Sequence, residues 1–149
     1  MFLFSVPSIS PRFFNIDRLA MSVFGSTNLV LLDSIARIDS AAAGRVVVSG
    51  SHGGASAAKF VLDVGIKPLI VFYNDAGGGK DDAGIIALNL LAGIGVPCAT
   101  YSHLSARIGD AADGHENGVV THANALAKAL GVNEGLRVAD LVARLLVRP

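Results

Sequence analysis

Short apolar runs that no polar residue interrupts constrain the fold of this chain more than any other feature. The clearest is Val46, Val47 and Val48, within a strand predicted at residues 45–49. Strands that are apolar on both sides are typical of a parallel sheet covered by helices on both faces. The predicted strands cover residues 28–32 (with a continuation to residue 38 left open), 45–49, 68–73, 96–101 and 119–121.

Helices are predicted between these strands and after them. They cover residues 55–64 and 82–92, a segment from the fifth strand to residue 130, and residues 136–146. Strand–helix–strand units of this kind form right-handed crossovers between parallel strands. The last helix carries apolar residues with the spacing of one buried stripe, namely Val138, Leu141, Val142, Leu145 and Leu146.

Glycines follow three of the predicted helices. Gly65, Gly93 and Gly131 each precede an apolar residue, a pattern typical of a left-handed glycine that ends a helix. The sequence therefore predicts a three-layer α/β/α fold with a mainly parallel, Rossmann-like sheet. A dinucleotide fingerprint is absent, because His52 stands where the second glycine would be if Gly50 were the first.

The length of 149 residues suits one domain. We predict that this domain covers residues 25–149, preceded by an N-terminal arm at residues 1–24. Residues 83–101 are strongly apolar, but glycines and Pro97 interrupt them, which favours a buried helix and strand over a membrane span. No membrane partner is therefore expected.

Composition excludes some partners and suggests others. With 12 basic and 12 acidic residues and no basic cluster, the chain lacks the charge pattern of a nucleic-acid-binding protein. Hydrophobic residues make up 52% and charged residues 16%, so a homo-oligomer that covers part of the surface is predicted. The single cysteine, Cys98, cannot form an internal disulfide, which favours a reducing cytoplasm.

Polar residues follow four of the apolar runs. Three of the runs end in a hydroxyl residue and then a histidine, which gives His52, His103 and His122, and the fourth ends in Asn74 and Asp75. If all four strands are parallel, these ends lie along the edge of the sheet where α/β proteins bind ligands.

The first candidate segment is SGSHGG at residues 49–54. Its glycines allow close approach of a ligand, and free amides at a helix start attract anions. Ser51, His52, Gly53 and Gly54 are therefore candidate site residues. The alternative is a tight turn with a serine cap.

The second candidate segment is NDAGGGKDD at residues 74–82. It fails as a phosphate loop, because Asn74 replaces the first glycine and Asp81 replaces the magnesium-binding Ser/Thr. Asn74, Asp75 and Lys80 remain candidates, and Asp81 or Asp82 is expected to cap the next helix. A lid or turn with solvated charges is an equal alternative.

The third candidate segment is SHLSARIGD at residues 102–110. Ser102, His103, Ser105 and Arg107 are candidates, since a guanidinium binds a carboxylate or phosphate through two parallel hydrogen bonds. In the alternative, Asp110 neutralises Arg107 and the segment is structural.

His122, in the fourth segment, is a candidate substrate-binding residue. There the alternative is that Thr121 caps the following helix and His122 only fills its first turn. His115 is expected to be a solvated loop histidine.

These groups predict an enzyme that uses acid–base catalysis on a small anionic metabolite, as an isomerase, lyase or hydrolase, without a cofactor. His52 and His103 would exchange protons and Asp75 would orient one of them. Arg107 and Lys80 would hold the anion.

Two alternatives stay open. In the first, His52, Asp75, His103 and His122 bind a metal ion in a metal-dependent hydrolase. In the second, the chain is a non-catalytic metabolite-binding or accessory subunit.

Overall fold

The computed structural model describes residues 28–147, so the N-terminal arm predicted at residues 1–24 lies outside the described residues. A five-stranded sheet forms the middle layer, with its strands in the order of the sequence. Strands β1 to β4 are parallel, and β5 runs antiparallel to β4. The strands are β1 (Leu29–Leu32), β2 (Val46–His52), β3 (Ile70–Asn74), β4 (Cys98–Tyr101) and β5 (Val120–Ala123).

Helices cover both faces of the sheet, which confirms the predicted three-layer α/β fold. The α-helices are α1 (Ala55–Val64), α2 (Ala87–Ala92), α3 (Ala111–Asn117), α4 (Ala125–Ala129) and α5 (Val138–Leu146). Side chains of α1 and α2 pack with Val47, Val71 and Tyr73 on one face. Side chains of α4 and α5 pack with Val48 and Phe72 on the other.

The apolar stripe of α5 lies where its spacing places it. Val138, Leu141, Val142 and Leu145 are buried, and they join the core beneath β2 and β3. None of the helices in the described part of the chain is long and apolar enough to cross a bilayer.

The direction of β5 differs from the prediction that all four polar-ended strands are parallel. The backbone amide of Ser102, just beyond β4, donates to the carbonyl of Val119 at 2.8 Å, so β5 starts beside the end of β4 and runs back. Val120 therefore lies opposite Tyr101, and His122 lies opposite Thr100. His122 is consequently inside the strand rather than at the carboxyl edge.

Helix α3, in a segment read as a loop from its sequence, connects these two strands. Asp110 caps it by accepting a hydrogen bond from the amide of Asp113 at 3.0 Å. Gly114 allows the helix to lie against the ring of Tyr101, because a Cβ atom there would be 2.6 Å from the ring's Cζ. A glycine in the middle of this helix and its several polar residues kept the sequence pattern from predicting it.

Other boundaries also shift. A 3₁₀ turn at Lys80–Ile85 replaces the first turns of the predicted 82–92 helix, and α2 begins only at Ala87. Asp81 and Asp82 have φ values of +54° and +59° and do not cap α2, so that expectation was wrong.

The glycines after the helices agree with the prediction in two of three cases. Gly65 and Gly131 are left-handed, with φ values of +75° and +89°. Gly93 keeps a helical φ of −62°, and Gly95 takes the left-handed conformation instead.

Candidate functional site

The carboxyl ends of β2, β3 and β4 meet at one edge of the sheet. His52 ends β2 and is paired with Asn74, the last residue of β3. Asp75 follows directly, and its amide donates to the carbonyl of Tyr101 at 2.8 Å, which fixes it beside the end of β4. His103 lies two residues beyond that end.

The side chain of Asp75 accepts several hydrogen bonds at this edge, and only 6% of the surface of Asp75 is exposed. Its Oδ1 accepts hydrogen bonds from the amide of Gly77 at 2.8 Å and from the amide of His103 at 3.0 Å. It also lies 3.0 Å from Nδ1 of the His103 ring.

These contacts keep Asp75 ionised. Burial raises the pKa of Asp75, but the hydrogen bonds from Gly77 and His103 outweigh it and hold the pKa below its ordinary value. A carboxylate can only accept hydrogen bonds. Nδ1 of His103 therefore carries the proton of the neutral ring and donates a hydrogen bond to Asp75.

The ring of His103 is anchored on one side and open on the other. It lies over Gly77, where a Cβ atom would come 3.5 Å from its Cε1. The side chain keeps 46% of its surface exposed. With the proton on Nδ1, the Nε2 of neutral His103 is unprotonated and able to accept a proton.

His52 has the opposite hydrogen-bonding pattern. Its Nδ1 accepts a hydrogen bond from the amide of Gly54 at 3.0 Å, so neutral His52 carries its proton on Nε2. Glycine at residue 54 leaves room for this contact, because a Cβ atom there would lie 2.7 Å from the His52 ring and the ring would have to shift. The bond occupies the amide of Gly54, and the carbonyl of Gly53 accepts from the amide of Ala87 at 2.8 Å.

The two histidines thus share an edge but not a hydrogen-bond network. No hydrogen bond or ion pair in residues 28–147 joins His52 to Asp75 or to His103. The structure selects His103 as the imidazole that Asp75 orients.

Ser51 and Asn74 have protein partners. Ser51 Oγ accepts from the amide of Ile35 at 3.0 Å. Asn74 is fully buried, and its amide nitrogen donates to the carbonyl of Ala106 at 3.1 Å while its oxygen accepts from the amide of Ala76 at 2.8 Å. The first contact joins the His52 turn to the segment after β1, and the bond to Ala106 joins the end of β3 to the loop that carries His103.

Ser102 and Ser105 stabilise the loop after β4. Ser102 Oγ accepts from the amide of Leu104 at 3.0 Å. Ser105 Oγ donates to the carbonyl of Ser102 at 2.7 Å and accepts from the amide of Val119 at 3.0 Å. The two serines hold His103 in place through the backbone.

The two predicted cationic residues, Lys80 and Arg107, lie on the loops that follow β3 and β4. Arg107 is largely exposed, and its guanidinium is 3.7 Å from Asp110 and 4.0 Å from Asp113. The contact with Asp110 is the pairing that the structural alternative anticipated, although exposed ion pairs of this length are weak. Lys80 is exposed and forms no ion pair within residues 28–147.

His122 is separated from the carboxyl edge by the antiparallel direction of β5. Its Nδ1 lies 3.3 Å from the hydroxyl of Thr100. Asn124, rather than Thr121, caps α4 by accepting from the amide of Ala127 at 3.0 Å.

The metal-binding alternative finds no ligand set in the described chain. Within residues 28–147, no three His, Cys, Asp or Glu side chains lie close enough together to hold one metal ion. That alternative required His52, Asp75, His103 and His122 to converge.

His115 is not the solvated loop histidine that the sequence suggested. It lies in α3 and is half-buried. Burial lowers the pKa of His115, and the nearby Glu116 carboxylate offsets part of this effect.

A cavity of about 550 Å³ opens at the carboxyl end of β1. It lies next to the His52 turn, since the amide of Ile35 donates to Ser51 there. This region is not among the predicted site segments, although Asp33 follows a predicted strand just as Asp75 does. The lining residues are Leu31, Leu32, Asp33, Ser34, Arg37 and Gly109.

Comparison with known proteins adds no further assignment: no family model, no curated protein and no solved structure matches the chain.

Proposed function

We propose that this chain is an enzyme that moves protons on a small anionic metabolite, with His103 as general base and His52 as general acid. The observation that carries the proposal is the contact between His103 Nδ1 and the buried carboxylate of Asp75 at 3.0 Å. A carboxylate in this position fixes both the tautomer and the orientation of an imidazole, and it stabilises the imidazolium that forms when the ring accepts a proton.

The hydrogen bonds of the two histidines support complementary roles. Neutral His103 presents an unprotonated Nε2, whereas neutral His52 presents an Nε2 that carries a proton. One imidazole can therefore remove a proton from a substrate while the other supplies one. Isomerisation, elimination and hydrolysis through an activated water all use such a pair.

Positive charge near this edge supports an anionic substrate. Arg107 and Lys80 lie on the loops that follow β4 and β3, and Arg37 lines the cavity beside the His52 turn. A carboxylate or phosphate group would replace the long, exposed contacts of Arg107 at little cost.

Self-association in the cytoplasm remains part of the proposal. Leu104 and Ile108 flank the site with 86% and 55% of their surfaces exposed, and a second copy would cover them. Cys98 is fully buried, and burial raises its pKa, which makes it a poor redox group. Sedimentation analysis of the purified protein would test the oligomeric state.

The function can be tested without a known substrate. The purified protein is incubated with a metabolite extract, and the mixture is compared by mass spectrometry with parallel samples of His103→Gln and Asp75→Asn. We expect at least one anionic metabolite to be converted by the unmodified protein and not by either variant.

Other outcomes would overturn the proposal. A metabolite that co-purifies with all three proteins and is never converted would indicate a non-catalytic binding protein. Conversion that survives both substitutions would place the chemistry elsewhere in the molecule.

A further inference from the structure

Two adjacent side chains at the end of β3 hold the loop that carries His103, at residues 102–110. The carboxylate of Asp75 accepts hydrogen bonds from the amide and the ring of His103. Three residues further along the loop, the carbonyl of Ala106 accepts a hydrogen bond from the side-chain nitrogen of Asn74 at 3.1 Å. Asn74 and Ala106 have 0% and 5% of their surfaces exposed, so water competes little for this bond.

The contacts of Asp75 alone do not fix the direction of the His103 ring. The hydrogen bonds from Gly77 and His103 all converge on one atom, Oδ1 of Asp75. A segment held at a single atom can pivot about it, and a hydrogen bond weakens as its angle departs from linear. The bond from Asn74 to Ala106 supplies a second point of attachment, which prevents this pivot.

The other anchors of the loop lead to different strands. Ser105 Oγ accepts from the amide of Val119 beside β5, and the amide of Gly109 donates to the carbonyl of Gly50 in β2 at 2.7 Å. Within residues 28–147, Asn74 and Asp75 are the two residues whose side chains bond this loop to the end of β3. Asn74 therefore sets the distance between the loop and the strand that carries Asp75.

Both ends of the Asn74 side chain have partners. Its oxygen accepts from the amide of Ala76 at 2.8 Å, and Ala76 has a φ of +52°, which residues other than glycine rarely adopt. The same side chain thus holds the turn on which Asp75 lies and the loop on which His103 lies. Since Asn74 is fully buried, these two contacts are its connection to the site.

We propose that Asn74 is a positioning residue for the Asp75–His103 pair, because its side-chain amide holds the loop where Nδ1 of His103 meets the carboxylate. The importance of this for catalysis rests on the proposed function of His103. The position of the ring does not, and the experiments below measure it without any substrate.

The main experiment compares Asn74→Ser with the unmodified protein. A serine hydroxyl can still accept from the amide of Ala76, as serine does in turns, but it is too short to reach the carbonyl of Ala106. The bonds from His103 to Asp75 should then weaken, so the pKa of Asp75 should rise toward its ordinary value in a ¹³C titration of its carboxyl group. Ring ¹⁵N NMR above neutral pH should show the His103 proton spread over both nitrogens.

Asn124→Ser is the matched control. Asn124 is also a buried asparagine, beside the start of β4, and its side-chain nitrogen donates to the carbonyls of Leu88 and Val96, both at 3.1 Å. Serine can still cap α4 in its place. The control loses buried hydrogen bonds far from the loop, so the pKa of Asp75 and the ring signals of His103 should not change.

A measurement on the unmodified protein tests the same inference if Asn74→Ser does not fold. Hydrogen exchange reports the free energy needed to open each hydrogen bond. If one movement of the loop breaks both attachments, the side-chain amide of Asn74 and the backbone amide of His103 should exchange with the same free energy of opening. Much faster exchange at His103 would show that the loop moves while the Asn74 bond stays closed, and the proposal would fail.

Two results with the variants would also overturn it. An unchanged pKa of Asp75 and an unchanged His103 tautomer in folded Asn74→Ser would show that Asn74 only stabilises the fold. Equal changes in Asn124→Ser would show that any loss of buried hydrogen bonds disturbs the pair. If Asn74→Ser gives the expected NMR changes but converts a metabolite as fast as the unmodified protein, the proposed function of His103 fails and the positioning role stands.

Discussion

The turns that carry His52 and His103 look alike in sequence and differ in what their imidazoles contact. Each histidine lies at the end of a buried strand or two residues beyond it, and a serine directly precedes each of them. In the first turn, the ring accepts a hydrogen bond from the amide of Gly54. In the second, it donates to the buried carboxylate of Asp75.

This comparison shows that a position at the sheet edge does not by itself assign a chemical role. The role depends on the partner of Nδ1, because that partner decides which nitrogen faces a substrate. When Nδ1 accepts a hydrogen bond from an amide, the proton of the neutral ring lies on Nε2. When Nδ1 donates to a carboxylate, Nε2 is unprotonated. Four predictions test this difference between the two turns.

The largest expected effect is on catalysis, once a substrate is identified. Removing a general acid or base costs about 100- to 10,000-fold in rate. We expect His103→Gln to lie near the upper end of that range and His52→Gln near the lower end, since only His103 has a carboxylate partner. Comparison of kcat/KM for both variants measures the difference. Equal losses would show that the Asp75 contact gives His103 no special role.

The next largest effect is on stability, through the glycines of the two turns. A Cβ atom at Gly50 would lie 2.6 Å from the amide nitrogen of Asp110 and 2.7 Å from the carbonyl of Asp33. Backbone cannot move aside easily, so we expect Gly50→Ala to cost about 3 kcal/mol, the upper end of the usual range for overpacking. Urea denaturation measures the free energy of unfolding.

Gly77, under the His103 ring, is the matched position in the other turn. Its φ of +76° disfavours a side chain, but the nearest ring atom would be 3.5 Å away, so Gly77→Ala should cost about 1–2 kcal/mol. Gly44→Ala is the control, because Gly44 has a similar φ of +70° and open space around it. A cost at Gly50 no larger than that at Gly44 would contradict the close packing of the His52 turn.

A smaller effect concerns the pH dependence of stability. The pKa of Asp75 is lower in the folded chain than its ordinary value of 3.8, so its ionised form stabilises the fold. This contribution is complete above that value and is lost as the pH falls through the lower, folded pKa. Asp75→Asn should therefore flatten the decline in the free energy of unfolding at acid pH. An unchanged decline would mean that the hydrogen bonds to Asp75 do not favour its charged form.

The prediction with the smallest effect in energy concerns the ring tautomers, and it tests the difference between His52 and His103 most directly. Ring ¹⁵N NMR above neutral pH should show the proton of His52 on Nε2 and the proton of His103 on Nδ1. Gly54→Ala, whose Cβ would lie 2.7 Å from the His52 ring, should alter only the first signal set. The same tautomer at both histidines would remove the basis for their complementary roles.

Much of the fold follows from local patterns. The helix predicted at residues 55–64 has the bounds of α1, and the buried stripe of α5 matches its spacing. His52, the last residue of β2, and Asp75, directly after β3, also lie at the predicted edge. Continuous apolar runs and helical spacing reflect burial along one element, and that information is contained in the local sequence.

The sequence alone determined the layers of this protein, most of its parallel strands and the edge at which polar residues gather. Only the tertiary structure decided that β5 runs antiparallel and that His122 contacts Thr100. It also decided that Asp75 accepts a hydrogen bond from the ring of His103 and not from that of His52. The physical reason is distance along the chain. The direction of β5 and these hydrogen bonds depend on residues 20 or more positions apart in the sequence. The spacing of residues within one helix or strand does not show which distant groups come into contact.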